Sequence, residues 1–391
     1  MTGWLSLVRP GDLVVVAQGV GEPTLLLTQL LDAAPEDVEV FVGLSHSDAL
    51  TGPSPMPLVS FGALGPLGGP PHRGRVEIIP AHFDDLARVL PHRGRDLVVL
   101  MQVAEPDAGG AHSLGMAVDH TYELAGRARV TVAEVNAQLP VTSAPRLPGS
   151  AFDARVPASR PLPVVAAPDV GEPQRRIAEH VAALVPHGAT LQLGLGGLAA
   201  AIGRALVGHS GLAVRSTLAG DWLLELATAG ALCPRDAVIS EAAGSPELYK
   251  FVAASEVAIR PVREVANADV DRFVAVNSAL QVDLSGQVNA EELPSGHVGA
   301  IGGQAEYLRA AQRSPGGCAV VALPSTAGRH SRVVPRIAPA TVTTPRSGVD
   351  VVVTEHGTAD LRGRGLRERA ESLIAVAAPE HRAALREGIG G

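Results

Sequence analysis

The stretch from Leu191 to Ser245 constrains what this chain can fold into more than any other. It opens on LQLGLGGL, an apolar run ending in Gly194, Gly196 and Gly197, and continues as LAAAIGRALV with helical apolar spacing. LAVRSTLAGD then reads as a second strand, WLLELATAG as a helix and DAVISEAAGS as a third strand. Short buried strands alternating with helices build a parallel sheet, and ligands collect at the C-terminal ends of such strands. Three loops, 194–197, 216–221 and 240–245, are therefore expected to meet at one crevice. Glycines in the first would let backbone N–H groups approach a ligand oxygen or a developing oxyanion. The same spacing serves a tight strand-to-helix turn equally well. It is not the usual GxGxxG, it lacks the Lys-Ser/Thr of a P-loop, and no acidic ribose-binding residue follows at the distance a dinucleotide fold needs.

A chain of 391 residues with 46% hydrophobic content can bury a large core and is long enough for two domains. Aromatic residues make up only 3%, so Ala, Val, Leu and Ile must build that core. Lys250 is the only lysine, which leaves little room for Schiff-base chemistry. The net charge of −8 and the absence of a long basic run argue against nucleic acid as a partner. Cys233 and Cys318 stand far apart, without a CxxC or a Cys/His cluster. That usage suits a reducing cytoplasm and gives no structural zinc site. MTGWLSLVRPGD does not read as a signal peptide, and no apolar run reaches membrane-spanning length.

In order, DLVVVAQGVGEPTLLLTQLLD (12–32) reads as a strand, a turn at Gly19–Gly21, and a helix with Glu22 and Pro23 in its first turn. VEVFVGL, VEIIPAHF, LVVLMQVAE and RVTVAEVNAQLPVTSA read as further strands, with helices such as FDDLARVLPHR between them. The Pro/Ala-rich segment 144–173 is the linker candidate. We therefore expect an N-terminal α/β domain over 1–165 and a C-terminal one over 166–391. PQRRIAEHVAALVP opens the second with a helix; RFVAVNSALQVDL, CAVVALP, ATVTTP and DVVVTEHG continue it as strands, and LRERAESLIAVAAPEHRAALREG closes it as helix. The two halves are alike in pattern, without a residue-level repeat. The histidines show no HxxxH or HExxH spacing, and Ser113 sits in HSLGM rather than GxSxG, so neither a metal centre nor a hydrolase elbow is indicated.

VNSALQVDLSGQVNAE (276–291), IGGQAEYLRAA (301–311), ALPSTA (322–327), VTTPRSGVDVVVTEHGTADLRGRGLRERAESLI (342–374) and AEVNAQLP (133–140) resemble the acetyl-CoA hydrolase/CoA-transferase family, of the 4-hydroxybutyrate CoA-transferase type. The likeness spans nearly the whole chain and is densest after Leu191. It implies two open α/β domains of CoA-transferase fold, with the active site in the cleft between them, and a cytoplasmic homodimer. It also implies an acyl-CoA thioester as substrate. Beyond that thioester we expect no cofactor and no metal, and as acceptor a small acid, alcohol or water. The family reaction uses one glutamate, which passes through an acyl-glutamyl anhydride and a glutamyl-CoA thioester. Such chemistry needs a poorly solvated carboxylate beside backbone N–H donors. Gly194, Gly196 and Gly197 resemble the first donor loop of the family; Gly302, Gly303 and Gln304 resemble the second.

The chain departs from that pattern where it matters most. The family pairs Thr with Glu on the strand after the Gly loop, with an Asp four residues on. Here the segment is Ser216-Thr217-Leu218 with Asp221, so Thr217 stands in the glutamate position. A threonine hydroxyl cannot form the anhydride, and unactivated it is a poor nucleophile. One strand over, Glu241 stands where the family has Phe, and Gly299-Ala300 replaces Ser-Gly. Two readings of Glu241 follow: a relocated nucleophile or general base assisted by Thr217, or an acid on a drifted loop. Glu22 matches an N-terminal family motif and is expected at the cleft, whereas Asp221, Glu225 and Glu355 read as structural. The expectation is an acyl-CoA transferase or thioester hydrolase working by a non-standard route. The alternative is a catalytically silent binder of CoA esters.

Overall fold

A computed structural model describes residues 3–266, 269–338 and 341–388. The chain divides into two compact units: Met1–Val165 with Val238–Val265 and Gly296–Gly302, and Ala166–Ala237 with Ala266–Ser295 and Gly303–Gly391. Each is α/β.

The first unit holds a seven-stranded sheet. Across it run Glu77–Ile78, Leu58–Ser60, Glu39–Phe41, Asp12–Val16, Asp96–Val103, Val130–Asn136 and Ala154–Ala158. All neighbours are parallel. Asp12–Val16 is buried throughout because both faces of the sheet are covered. Val14 and Val16 pack with Leu26, Leu27 and Leu30 of helix Thr24–Ala33 on one face. Leu13 and Val15 pack with Phe41, Phe83, Leu86 and Leu90 on the other. Each such side chain contributes about 1.5–3 kcal/mol on full burial. The chain enters at Asp12–Val16, winds outward on one side, then returns and winds outward on the other. The switch point therefore lies between Asp12–Val16 and Asp96–Val103, and the loop Ala17–Glu22 leaves the sheet there.

The second unit repeats this plan. Its sheet is eight-stranded, in the order Ala258–Ile259, Leu232–Ala242, Leu212–Ala219, Thr190–Gln192, Phe273–Ser278, Cys318–Ala322 and Val351–Thr354, and Gly357–Asp360 closes the edge as an antiparallel hairpin arm; the expected third strand at DAVISEAAGS is thus present. The parallel pairs Leu191–Val214 and Leu191–Val274 put Thr190–Gln192 at the switch point. The loop that leaves this strand is the Gly194–Gly197 loop. Tyr307, Leu308 and Ala311 of helix Gln304–Arg313 cover Phe273, Ala275 and Val321, with Leu373 and Ile374 of helix Leu366–Val376 in the same core.

Several elements differ from the sequence reading. Helix Thr24–Ala33 begins after Pro23, so Glu22 and Pro23 precede it rather than form its first turn. VEIIPAHF gives only the two-residue strand Glu77–Ile78. Within the 144–173 segment, Ala154–Ala158 adds an edge strand alongside Val130–Asn136; an edge tolerates Pro157 because one side of it makes no ladder. In ATVTTP, whose Ala340 lies outside the described residues, Thr344 forms only an isolated bridge to Val288.

The stretch 238–265, which the sequence reading kept with the second half, packs in the first unit. Its Glu241 bridges Ala117, Ser240 O accepts from Val118 N, and Tyr249 Oη donates to Pro163 O at 2.7 Å. Residues 296–302 do likewise, through an Ala300–Gly62 bridge and the bond from Ala63 N to Gly299 O. Among the described residues no helix is long and apolar enough to cross a membrane.

Candidate active site

In the second unit, helix Gly197–Ala205 follows Thr190–Gln192 directly. Gly196 has φ +95°, a conformation that a side chain resists. At Gly194 and Gly196 an added Cβ would meet nothing within 4 Å, so the backbone there is open to close approach. The first-turn N–H groups of an α-helix have no intrahelical acceptor and suit an anionic oxygen. The loop is also held from beneath. Trp222 Nε1 donates to Gly194 O at 3.1 Å, and Ser216 Oγ donates to Leu193 O. Gly203 lets this helix lie against Trp222, where a Cβ would come within 2.4 Å.

Thr217 lies beside this loop near the end of Leu212–Ala219 and is buried. Its Oγ1 is 2.6 Å from the hydroxyl of Tyr307. Gly303 completes the group: a Cβ there would sit 3.1 Å from the Tyr307 ring and 3.9 Å from Thr217 Oγ1. Gln304, which opens helix Gln304–Arg313, is buried and donates through Nε2 to Thr344 Oγ1 at 3.0 Å. Thr217, Gly303 and Gln304 are thus brought together in this unit, with Tyr307 between the first two. Sequence reasoning missed Tyr307. The signal was available, because a residue four positions after Gly303 on a helix returns to the same face.

Gly302 belongs to the first unit, where its carbonyl accepts from Phe83 N at 3.0 Å. Its φ of +59° and the open space at its Cβ position resemble the situation at Gly196.

Glu241 also belongs to the first unit and is 3% exposed. Its Oε1 accepts from Val20 N at 2.8 Å, at the switch-point loop Ala17–Glu22. A Cβ on Gly19 would fall 1.9 Å from the same oxygen, so only glycine fits beneath the carboxyl. Burial pushes the Glu241 carboxyl up to about 8; the Val20 hydrogen bond opposes this, and the nearby Asp119 adds to it. Asp119 is itself tied to this loop, accepting from Gln18 N at 2.6 Å. Gln102 Nε2 donates to Val20 O at 2.9 Å, so both polar groups of the Val20 backbone are engaged.

Two residues on, Glu22 is buried as well. Its Oε1 accepts from Thr24 Oγ1 at 3.0 Å, while Oε2 has no partner in hydrogen-bond geometry. Burial raises its pKa, against the lowering effect of Ser45, Ser47, Thr24 and Arg160. Arg160 binds both the Glu22 carbonyl and the buried Glu134 carboxylate, the latter at 2.7 Å. Glu355 is structural in the second unit: it accepts from Ser325 N at 2.8 Å and from Ser325 Oγ at 2.7 Å.

Comparison with known proteins agrees with this architecture. The chain is 37% identical over 329 residues to a 4-hydroxybutyrate coenzyme A transferase of Clostridium kluyveri, covering 80% of this chain and 77% of that protein. It belongs to the acetyl-CoA hydrolase/CoA-transferase family. The C-terminal domain model of that family, described as acetyl-CoA hydrolase/transferase, matches residues 244–389. A succinyl-CoA:cyclohexane-1-carboxylate CoA transferase of Geobacter metallireducens is 30% identical across 98% of this chain and 92% of its own length. Among solved structures, a 4-hydroxybutyrate CoA-transferase of Porphyromonas gingivalis superposes with a TM-score of 0.80 at 32% identity, over 99% of this chain and 95% of that one. RipA of Yersinia pestis superposes with a TM-score of 0.87 at 27% identity, over the same shares. The mixed α/β fold is thus shared with these structures over nearly the whole chain.

Proposed function

We propose that this chain is an acyl-CoA-processing enzyme that transfers or hydrolyses an acyl group by a route other than glutamyl-CoA exchange. Its relatives are named as CoA transferases, one for 4-hydroxybutyrate and one for succinyl-CoA with cyclohexane-1-carboxylate. The observation that carries our reading is the hydroxyl pair of Thr217 and Tyr307, 2.6 Å apart, beside Gly303 and next to the Gly194–Gly197 loop. Hydroxyls at this position can donate to a thioester carbonyl or hold an acceptor molecule, but they cannot form the anhydride that opens the exchange reaction. In hydrolysis, water would add to the carbonyl carbon, the C–S bond would break, and the thiolate would leave and take up a proton. Gly194, Gly196, Gly197, Gly302, Gly303 and Gln304 are the proposed oxyanion and CoA contacts. The acceptor is a small acid, an alcohol or water, and the working form is a cytoplasmic homodimer without metal or further cofactor.

Glu241 enters this reading differently from the sequence expectation. A general base must be ionised, and a carboxyl pushed up to about 8 is mostly protonated at pH 7. At neutral pH it can act as a proton donor; as a base it would act only in alkaline solution. The same observation favours a second reading, a silent CoA-ester binder in which Glu241 only braces the Gly19–Val20 turn. Incubation with acetyl-CoA, followed separately for CoA release and for labelled-acetate exchange, tells the two apart. Our reading expects release without rapid exchange. Tight binding with neither activity would leave the binder.

A further inference from the structure

Tyr307 stands one turn into helix Gln304–Arg313 and is 2% exposed. Its ring lies over Gly303, where a Cβ would come within 3.1 Å of it, and edge-on to the ring of Phe273 at 6.2 Å. Its hydroxyl lies 2.6 Å from Thr217 Oγ1. One proton lies between the two oxygens. A phenol, with an ordinary pKa near 10, is more acidic than an aliphatic alcohol and is therefore the better donor. With Tyr307 donating, the threonine proton must point away from the ring. A hydroxyl that already accepts one hydrogen bond also donates a stronger one. The β-branched Thr217 adds stiffness, because its χ1 is restricted.

We infer that Tyr307 is a positioning residue that holds the Thr217 hydroxyl as a fixed hydrogen-bond donor toward the carbonyl oxygen of a bound CoA thioester. This rests on the reading that the Gly loops beside Thr217 receive the thioester. It gives the glutamate position a new task, in which the side chain at 217 polarises the carbonyl rather than attacks it. The alternative is a buried hydroxyl pair with a structural role only.

The test uses the full chain and acetyl-CoA labelled with ¹³C at the carbonyl, compared by infrared difference spectra across variants. In the wild-type complex the bound carbonyl band should move to lower frequency than in solution. Tyr307→Phe keeps the ring and removes only the hydroxyl, and should lose most of that shift. Thr217→Val should lose all of it, and Thr217→Ser should keep it. In turnover, loss of one oxyanion donor costs roughly 10²–10³-fold, which sets the scale for Thr217→Val. Tyr307→Phe should cost about tenfold in kcat with KM for acetyl-CoA unchanged, and the double variant should be no worse than Thr217→Val, as expected for residues acting as a unit. The band shift can be read even if the protein binds without turning over. Acetyl-CoA bound with its usual shift in Tyr307→Phe would overturn this inference alone, whatever Thr217→Val does. A wild type that does not bind acetyl-CoA at all would remove the functional reading and this inference with it.

Discussion

Glu241 accepts the backbone N–H of Val20 at 2.8 Å from a position sealed off from solvent. One hydrogen bond from a neutral donor does not offset the loss of hydration, so the carboxyl is pushed from 4.5 to about 8. Between those values the folded protein keeps a proton that the unfolded chain has released. Stability therefore falls as pH rises from about 4.5 to about 8, with a slope of up to roughly 1.4 kcal/mol per pH unit from this group, and levels off above. Glu241→Gln keeps the acceptor for Val20 and cannot ionise. Its melting temperature should exceed that of wild type at pH 8, and the difference should shrink toward pH 5. Equal pH profiles for the two proteins would show that Glu241 does not titrate in this window.

Gly19 tests the same contact sterically. With φ +61° it occupies left-handed space, and a Cβ there would meet Glu241 Oε1 at 1.9 Å. The backbone penalty for alanine is about 1–2 kcal/mol, and overpacking adds about 1–3 kcal/mol. Gly19→Ala should thus destabilise the protein by about 2–5 kcal/mol in urea unfolding. Combining it with Glu241→Ala should recover the overpacking share and leave the backbone share. Strict additivity of the two changes would mean that the carboxyl does not lie over Gly19.

Much of the architecture is readable from the sequence because strands covered on both faces are written as unbroken apolar runs. LVVV at 13–16, LVVLM at 97–101 and VAV at 274–276 are cases, all buried in the structure. The Gly194–Gly197 loop is readable too, since a glycine pair after such a run has few other uses. What the sequence hides is pairing at long range. The strand of Glu241 does lie one over from that of Thr217, as its place in the sequence suggests, but nothing near Glu241 announces that it will bridge Ala117 and sit over Gly19. Ala154–Ala158 is hidden for a different reason: its composition is that of a linker, and only the vacant edge beside Val130–Asn136 makes it a strand. Tyr307 is hidden by its dual nature, a core aromatic by packing and a hydroxyl donor or acceptor by its tip.

Thr217→Glu would return a carboxylate to a site that retains its surroundings. The Tyr307 hydroxyl is in place to donate to it, and Gly194 and Gly196 leave the space above the loop open. Nucleophilic catalysis needs the group and its position together. Labelled-acetate exchange into acetyl-CoA should rise on the order of tenfold or more above wild type. Borohydride reduction followed by mass analysis should locate the adduct at position 217. A folded variant with no gain would mean that the pocket has diverged beyond this one residue, with Glu241 and Ala300 as the first places to look.

His120 is another buried polar group of the first unit that lacks a hydrogen-bond partner. It is 4% exposed and lies edge-on to Phe41 at 5.3 Å and to Phe83 at 6.3 Å, and neither ring nitrogen has a hydrogen-bond partner. Burial lowers its pKa, with Asp119 acting weakly the other way. As pH falls through about 6.5 the unfolded chain takes up a proton that folded His120 refuses, so stability is lost on the acid side. This runs opposite to Glu241, and wild type should therefore be most stable at an intermediate pH. Unsatisfied buried polar groups cost about 1–3 kcal/mol each. Leucine is close to histidine in size, has no polar atom and fits the helix start. His120→Leu should raise stability by about 1–3 kcal/mol at pH 7 in urea unfolding, and the gain should grow at pH 5. A variant less stable than wild type at both pH values would show that the imidazole contributes something its aromatic surroundings alone do not explain.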